Sequence, residues 1–276
     1  MLDRQLEISE TTEKLYEESY NTTEALFQAG IYNSPAMYEM QASLEALRVN
    51  IVDLRYSIAT VEASLCRLLA EPPHHIARSS FEQFEMPEQI HVGLPVRLLD
   101  ARPDVRMAER NMEIAYYQTQ QARQSFYPTL SIDGLFGMAG TFNALGLIAQ
   151  AVGSLTQPIF QGGQLTAQLR NAKAEQEKAQ LQFVQTLYDA GSEVYKYKKS
   201  IEAAEEKTGH IDIQVNALQE AYTATTELMN NGSTTYLEVL TAQESLLSAQ
   251  LTQVQNRYTM IQALINLYTA LGGFGK

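Results

Sequence analysis

Apolar residues recur at helical spacing through the C-terminal half of the chain, and they predict two long helices there. The first covers residues 164–230, which contain no proline and only two glycines, Gly191 and Gly209. At about 1.5 Å per residue, this helix would be on the order of 100 Å long, so it needs other helices beside it to be stable. A turn at residues 231–232 leads into a second predicted helix at residues 235–271.

The returning helix has two apolar seams, a pattern that requires a neighbour on each side of the helix. The first seam alternates steps of three and four residues, and its mean period of about 3.5 favours left-handed supercoiling. Its members, all apolar except Glu244, are Leu237, Leu240, Glu244, Leu247, Leu251, Val254, Tyr258, Ile261, Ile265 and Tyr268. The second seam, polar only at Gln253 and Asn256, comprises Val239, Ala242, Leu246, Ala249, Gln253, Asn256, Met260, Ala263, Leu267 and Ala270. Because a two-helix coiled coil needs one seam only, we expect a wall of helices that encloses a core or a channel.

The N-terminal part of the chain repeats this design. A helix predicted at residues 3–29 ends at Gly30. Ser34 is expected to cap a second helix, which has Pro35 at its first position and runs to about residue 70. An offset of 202 residues, the difference between Gly30 and Gly232, aligns this hairpin with the C-terminal one without a gap. The matched pairs include Tyr20 with Tyr222, Arg55 with Arg257, and Tyr56 with Tyr258. Shared heptads alone would match leucines but not these residues, so we interpret the match as an internal duplication.

Between the hairpins the pattern changes from aperiodic to helical and then to extended. Residues 71–97 contain prolines and are polar, which is typical of a connector. Pro103 begins a predicted helix that continues to about residue 127 and is stopped by Pro128. From Thr129 apolar residues alternate with more polar ones, which predicts a strand, and a second extended segment ends at Phe160. Strand, loop and short helix all remain open for the stretch 142–153.

The predicted fold class is mainly α, with two long antiparallel helical hairpins and one short antiparallel β-hairpin. Two strands alone are marginally stable and leave open edges, so we expect several chains to pool their strands into a closed barrel whose outer face meets lipid. The patterns divide the chain into a first hairpin (1–71), a connector (72–97), a helix (98–127), a β-hairpin (128–160) and a long hairpin (161–276).

Composition argues against several classes of function. The net charge of −12 and the lack of a Lys/Arg-rich stripe argue against nucleic acid binding. Cys66 cannot form an intrachain disulfide, and we expect it to be a small buried side chain. His74, His75 and His91 do not follow the spacing of a known metal site, so we predict neither metal nor cofactor. No order of Ser, His and Asp, no phosphate loop and no metal-ligand spacing indicates an enzyme.

Three motifs resemble the TolC-like outer-membrane factors of Gram-negative tripartite efflux pumps, and most closely the lipoprotein branch that works with resistance-nodulation-division (RND) pumps. Residues 98–109 (LLDARPDVRMAE) resemble the segment that enters the second repeat of these proteins. Residues 157–163 (QPIFQGG) resemble their junction between strand and helix. Residues 232–243 (GSTTYLEVLTAQ) resemble their second periplasmic tip.

The resemblance implies an α-barrel protomer of a homotrimer, whose helices form a periplasmic tunnel and whose strands form one transmembrane β-barrel in outer-membrane lipid. It implies a passive channel that works with a periplasmic adaptor and an inner-membrane RND or ABC pump. It also covers only the later part of such proteins. We therefore expect a longer gene product with a signal peptide and a lipidated cysteine. The alternatives are an outer-membrane component of type I protein secretion, which has the same architecture, and a soluble helical scaffold.

The resemblance also implies the candidate site residues. An adaptor would dock on two hairpin tips, which comprise Gly30, Ile31, Tyr32, Asn33 and Ser34 in the first repeat and Gly232, Ser233, Thr234 and Thr235 in the second. The acidic rings of the family's channel entrance correspond to Glu238 and Thr241, so one ring of three glutamates would remain and would favour cations. Residues 235–238 also match a capping box, in which Glu238 would accept a backbone N–H at the helix start. Both roles remain open.

Overall fold

The structure is a computed structural model that describes residues 1–30, 34–81, 102–139, 146–157 and 161–273. Five helices and two strands follow one another in these ranges. They are α1 (Leu2–Gln28), α2 (Ser34–Leu69), α3 (Pro103–Gln124), β1 (Thr129–Ala139), β2 (Gly146–Thr156), α4 (Gln164–Asn230) and α5 (Tyr236–Ala270). The predicted helices and the strand pair are therefore present, and the open stretch 142–153 is strand from residue 146 onwards. Residues 142–145 lie outside the described ranges.

The chain divides into two compact units. Unit 1 comprises Met1–Val92 and Lys196–Leu267, and unit 2 comprises Gly93–Tyr195 and Tyr268–Lys276. Unit 1 contains α1, α2 and the hairpin formed by the second part of α4 with α5. A cluster of buried side chains from α1, α2 and α5 forms its core, and its members are Tyr16, Met40, Leu44, Leu47, Ile51, Tyr236 and Leu240.

The helix ends of unit 1 confirm the internal duplication. Helix α1 ends at Gln28 and α4 at Asn230, while α2 begins at Ser34 and α5 at Tyr236, so both pairs differ by 202 residues. The turn bonds repeat with the same offset, since Gly30 N–H donates to the Phe27 carbonyl and Gly232 N–H to the Met229 carbonyl, each at 2.9 Å. The two tips thus turn in the same way.

The C-terminal ends of α2 and α5 also correspond, but α2 has a non-glycine residue where the backbone is in the left-handed region. Ala70 has φ +57°, and Gly272, its equivalent, has φ +99°. A side chain in this left-handed region costs roughly 1 kcal/mol, whereas glycine adopts it freely. We therefore expect Ala70→Gly to increase the free energy of unfolding by about 1 kcal/mol, measured by urea denaturation. The reciprocal Gly272→Ala should decrease it, and a destabilised Ala70→Gly variant would contradict the assignment of strain.

Unit 2 contains the strand pair and the packing of α3 against α4. Strands β1 and β2 pair antiparallel, with Thr129 opposite Thr156 and Ala139 opposite Gly146. Thr119 on α3 is 1% exposed, and its hydroxyl donates to the Ala115 carbonyl and to the Ala172 carbonyl of α4, each at 3.0 Å. A small side chain that bonds to the main chain of the next helix requires the two helices to lie close together.

Arg102 joins three helices at the other end of α3. Its guanidinium forms two bonds to Asp104, at 3.0 and 2.6 Å, and a third to Glu193 on α4 at 2.8 Å. A fourth, at 3.0 Å, goes to the carbonyl of Ala270, the last residue of α5. The hydrogen bonds from Arg102 lower the pKa of Asp104 below its usual range. The Arg-Pro-Asp motif therefore has a structural role that its sequence alone does not reveal.

Strand β2 ends at Thr156, whereas the second extended segment was expected to end at Phe160; residues 158–160 lie outside the described ranges. Two predicted helix boundaries also differ from the structure. The helix expected to reach residue 127 ends at Gln124, and residues 125–127 form a turn whose N–H groups bond back to α3. Pro128 disfavours helical backbone at the residue before it, which moves the helix end upstream. Ser34, expected to cap α2 from outside, is the first residue of the helix itself.

Candidate functional site at the hairpin tips

Both hairpin tips turn at a glycine in the left-handed region. Gly30 has φ +74° and Gly232 has φ +69°, so each ends its helix in a conformation that favours glycine. The other described tip residues, Ser34 and Ser233 to Thr235, are near the helix ends and are exposed or half-buried. Ile31, Tyr32 and Asn33 lie outside the described residues. No contact in the described structure tests adaptor docking, which stays a prediction.

Glu238 is exposed in the first turn of α5, and its carboxylate accepts a hydrogen bond from the Thr234 hydroxyl. The Glu238 N–H donates to the Thr235 carbonyl at 3.2 Å. The capping box predicted that this carboxylate would accept the backbone N–H of Thr235. The structure shows a bond from the side-chain hydroxyl of Thr234 instead. A negative charge in the first turn is also favoured by the helix dipole. Thr241, one turn later, is exposed and its hydroxyl donates to the Leu237 carbonyl at 2.8 Å.

Tyr236 connects the second tip with the first hairpin. It is 6% exposed and packs in the same cluster as Tyr16 of α1 and Met40 of α2. Burial, together with the nearby carboxylates of Glu39 and Glu244, raises the pKa of Tyr236 to about 12. The phenol is therefore neutral at every physiological pH, as its buried position requires.

Glu244, the polar interruption of the first seam, also connects the hairpins. Its carboxylate accepts a hydrogen bond of 3.0 Å from the hydroxyl of Ser43 on α2. After burial, the Glu244 charge is the next cause that raises the pKa of Tyr16 above its usual range. This polar residue of the seam thus bonds to the other repeat two to three helical turns behind the tips.

Charged residues join α1 to α2 along the first hairpin. Arg48 donates to Glu13 at 2.9 Å and to Glu45 at 2.8 Å, and it also bonds to Glu17. Arg55 donates to Glu10 at 2.8 Å. These pairs are partly exposed, so they align the two helices more than they stabilise them.

The polar interruptions of the second seam find partners on α4. Gln253 donates to the Asp212 carboxylate at 2.6 Å, and Asn256 donates to the Ala204 carbonyl and the Thr208 hydroxyl, each at 2.9 Å. The apolar members of this seam are mostly buried within the chain. By contrast, Leu237, Tyr258, Ile265 and Tyr268 of the first seam are 38–55% exposed.

Sequence reasoning missed an exposed apolar face on α2. Helix α2 buries Met40, Leu44, Leu47 and Ile51 on one side. The opposite side presents Tyr38, Val49, Val52 and Tyr56, which are 60–72% exposed. The spacing of three and then four residues from Val49 to Val52 and Tyr56 could have indicated this face. The charged residue Glu45 lies on the same side between Tyr38 and Val49, so the apolar pattern is interrupted there. We name these four residues the open face of α2.

Other kinds of site find little support in the described ranges. Among those residues, no group of three or more His, Cys, Asp or Glu side chains is placed to hold a metal ion. Cys66 is fully buried, as predicted, and its sulfur lies 3.5 Å from Nδ1 of His74. His91 lies outside the described residues. No helix in the described part of the chain is long and apolar enough to cross a membrane.

Comparison with known proteins identifies what the chain is similar to. The sequence profile of a family described as Outer membrane efflux protein matches residues 94–273. The chain is 27% identical to the cation efflux system protein CusC of Escherichia coli, over 98% of this chain and 60% of that protein. It is 28% identical to the toluene efflux pump outer membrane protein TtgC of Pseudomonas putida, over 96% of this chain and 56% of that protein.

A solved structure extends the comparison to the fold. The outer membrane protein VceC from Vibrio cholerae matches with a TM-score of 0.85 at 23% identity, over 98% of this chain and 66% of that one. This likeness confirms the predicted TolC-like, mainly helical fold class. The chain spans less than two thirds of the length of each of these three proteins.

Proposed function

The chain belongs to the outer membrane efflux protein family, and on this premise we propose that it is the outer-membrane channel component of a tripartite efflux pump. Three copies would form a passive exit duct from the periplasm of a Gram-negative bacterium to the exterior. An inner-membrane RND or ABC pump would supply the cargo through a periplasmic adaptor. The adaptor would dock on the two tips, Gly30–Ser34 and Gly232–Thr235.

One observation supports the assembly most strongly, and it is the open face of α2. Four large apolar side chains more than half exposed on one helix are unusual for a monomer in water, because their contact with water is unfavourable. The exposed members of the first seam on α5 add a second such surface. Both surfaces follow helical spacing, so helices of neighbouring copies are suitable partners for them.

The names of the relatives support efflux over the alternatives. CusC is named for cation efflux and TtgC for toluene efflux. The relatives are channel proteins, and their names do not refer to protein secretion or to an enzymatic activity. The likeness of the fold to an outer membrane protein also argues against a soluble scaffold.

A test in the host would measure retention of exported compounds. Deleting the gene should increase the cellular accumulation of at least one class in a panel of metal cations, aromatic solvents and cationic dyes. Expression of the gene from a plasmid should restore export. Unchanged accumulation across the panel, together with impaired secretion of a protein substrate, would favour type I secretion instead.

Glu238 offers a prediction about the channel entrance. In a trimer its three carboxylates would attract cations at the mouth, so Glu238→Gln should lower the cation over anion permeability ratio by several-fold. The ratio is measured from reversal potentials of the protein reconstituted in planar bilayers. Glu205→Gln, which removes an exposed charge of α4 far from the tip, is the matched control. If wild type and Glu238→Gln had equal permeability ratios, Glu238 would have no role in ion selectivity, and only its structural bond with Thr234 would remain.

A further inference from the structure

We infer that a cavity between α1, α4 and α5 is a binding site for an organic cation with an apolar body. The cavity lies within unit 1 and has a volume of about 600 Å³. Pockets that bind small molecules have volumes of roughly 300–1,000 Å³. A passive exit duct does not require such a site, so the inference goes beyond the proposed function.

Apolar side chains form much of the cavity wall. They come from α1, α4, α5 and the segment that follows α2, and they are Ile8, Phe81, Ile211, Val215, Val254 and Met260. Ligand pockets combine such a wall with a small number of polar groups that fix the orientation of the ligand. The wall therefore suits the apolar body of a ligand, and the polar groups beside it decide which charge the ligand carries.

One of these polar groups is a carboxylate without a cationic partner. Asp212 of α4 is half-buried and lines the cavity. Among the described residues, its carboxylate accepts one hydrogen bond, which comes from the side-chain amide of Gln253 at 2.6 Å. No Lys, Arg or His in the described ranges forms a salt bridge with it. Because removing a negative charge from water is unfavourable unless it is paired, a bound cation would stabilise Asp212.

The first repeat shows the pairing that this carboxylate has lost. With the offset of 202 residues, Asp212 corresponds to Glu10 and Arg257 corresponds to Arg55. In the first repeat, Arg55 and Glu10 form a salt bridge of 2.8 Å. In the second repeat, the guanidinium carbon of Arg257 lies 5.5 Å from the centre of the Phe81 ring instead. The second repeat thus keeps both charges but separates them, and the carboxylate lines a cavity.

Two arginines also line the cavity, and both have partners within the chain. Arg4 forms a salt bridge of 2.8 Å with Glu7, and Arg257 lies over the ring of Phe81. Each of them has a further interaction as well. The charge that a ligand can still pair with is therefore the carboxylate of Asp212, and this favours a cation over an anion.

Two side-chain amides add hydrogen-bond acceptors to the lining. The nitrogen of Gln253 donates to Asp212, and the nitrogen of Asn256 donates to the Ala204 carbonyl and the Thr208 hydroxyl. No described residue donates to the side-chain oxygen of either amide. An ammonium group has donors and no acceptor, so it matches one carboxylate and two amide oxygens. The structure thus favours an alkylammonium with an apolar body.

Three probes with the same dansyl ring and different charges test the site in the purified full chain. Dansylcadaverine carries an ammonium group at pH 7, dansylamide is uncharged, and dansylglycine carries a carboxylate. Fluorescence titration in one non-ionic detergent, corrected with samples that lack protein, gives the Kd of each probe. We expect dansylcadaverine to bind about tenfold more tightly than dansylglycine, with dansylamide between them.

Variants locate the charge and the cavity. Asp212→Asn keeps the oxygen that accepts the bond from Gln253 but removes the charge. It should weaken the binding of dansylcadaverine about tenfold and leave that of dansylamide unchanged. Glu10→Gln, the matched control, removes the equivalent charge of the first repeat and should leave all three Kd values unchanged. Val215→Phe, which fills the cavity from α4, should weaken both dansylcadaverine and dansylamide several-fold.

Circular dichroism of each variant shows whether its fold is retained. Equal Kd values of dansylcadaverine for wild type and Asp212→Asn would overturn the cation site, and so would tighter binding of dansylglycine than of dansylcadaverine. Unchanged binding in a folded Val215→Phe variant would overturn the location in the cavity. The titration requires neither transport nor assembly, so its failure is distinguishable from failure of the proposed function.

Discussion

Val52→Glu should convert the assembled protein to monomers while the fold of unit 1 is retained. Val52 is 62% exposed at the centre of the open face of α2, so a glutamate there is tolerated by the single chain. If a neighbouring copy covers this face, the carboxylate would be buried without a partner at every interface. An uncompensated buried charge costs about 3–5 kcal/mol, enough to weaken each contact by two orders of magnitude or more.

Light scattering coupled to size-exclusion chromatography in mild detergent would measure the mass. We expect a trimer for the wild type and a species near 30.9 kDa for Val52→Glu, with the same circular dichroism. Asn50→Glu is the matched control, since Asn50 is exposed on a different side of the same helix and acquires the same charge. If Val52→Glu remained trimeric to the same extent as Asn50→Glu, the open face would not be part of the interface between copies.

Arg102→Met should destabilise unit 2. The side chain of Arg102 is 11% exposed, and methionine of similar length would fill much of its volume without any of its four hydrogen bonds. Bonds to charged groups contribute about 1.5–3 kcal/mol, and the two carboxylates left behind are partly exposed and regain water. We therefore expect a loss of about 2–3 kcal/mol in the free energy of unfolding, measured by denaturant titration with hydrogen exchange to assign the loss to unit 2.

The pH dependence of the stability lost in Arg102→Met distinguishes a contribution from the ion pairs of Arg102 from a contribution from its packing alone. The pKa of Asp104 is lowered in the folded state, so its contribution is present above the usual carboxylate range and is lost as the pH falls through the folded pKa. The difference between wild type and Arg102→Met should therefore decrease below about pH 4. Arg102→Lys, which keeps the charge but not the two-pronged geometry, should recover only part of the stability. A pH-independent difference would indicate that packing alone explains the effect.

The local signals of this sequence predicted most of the secondary structure. Apolar periodicity located the long helices, and glycine located both tips, because these signals depend on residues within one or two turns. The offset of 202 residues revealed the duplication, and three motifs indicated the family. The end of α3 was one exception, because Pro128 disfavours helical backbone at the residue before it although the helical periodicity continues.

What periodicity could not decide was which partner each face has. The sequence showed that Glu244, Gln253 and Asn256 interrupt the seams, but their partners lie 41–201 residues away and only folding brings them together. It showed an Arg-Pro-Asp motif, but not that Arg102 would reach Ala270, 168 residues further along the chain. It likewise did not show that a second apolar face of α2, the open face, would remain exposed in the single chain. The sequence by itself determined the helices, the turns and the repeat, since these arise from short-range forces. Only the tertiary structure decided which surfaces are satisfied within one chain and which still face water, since that depends on how distant helices pack.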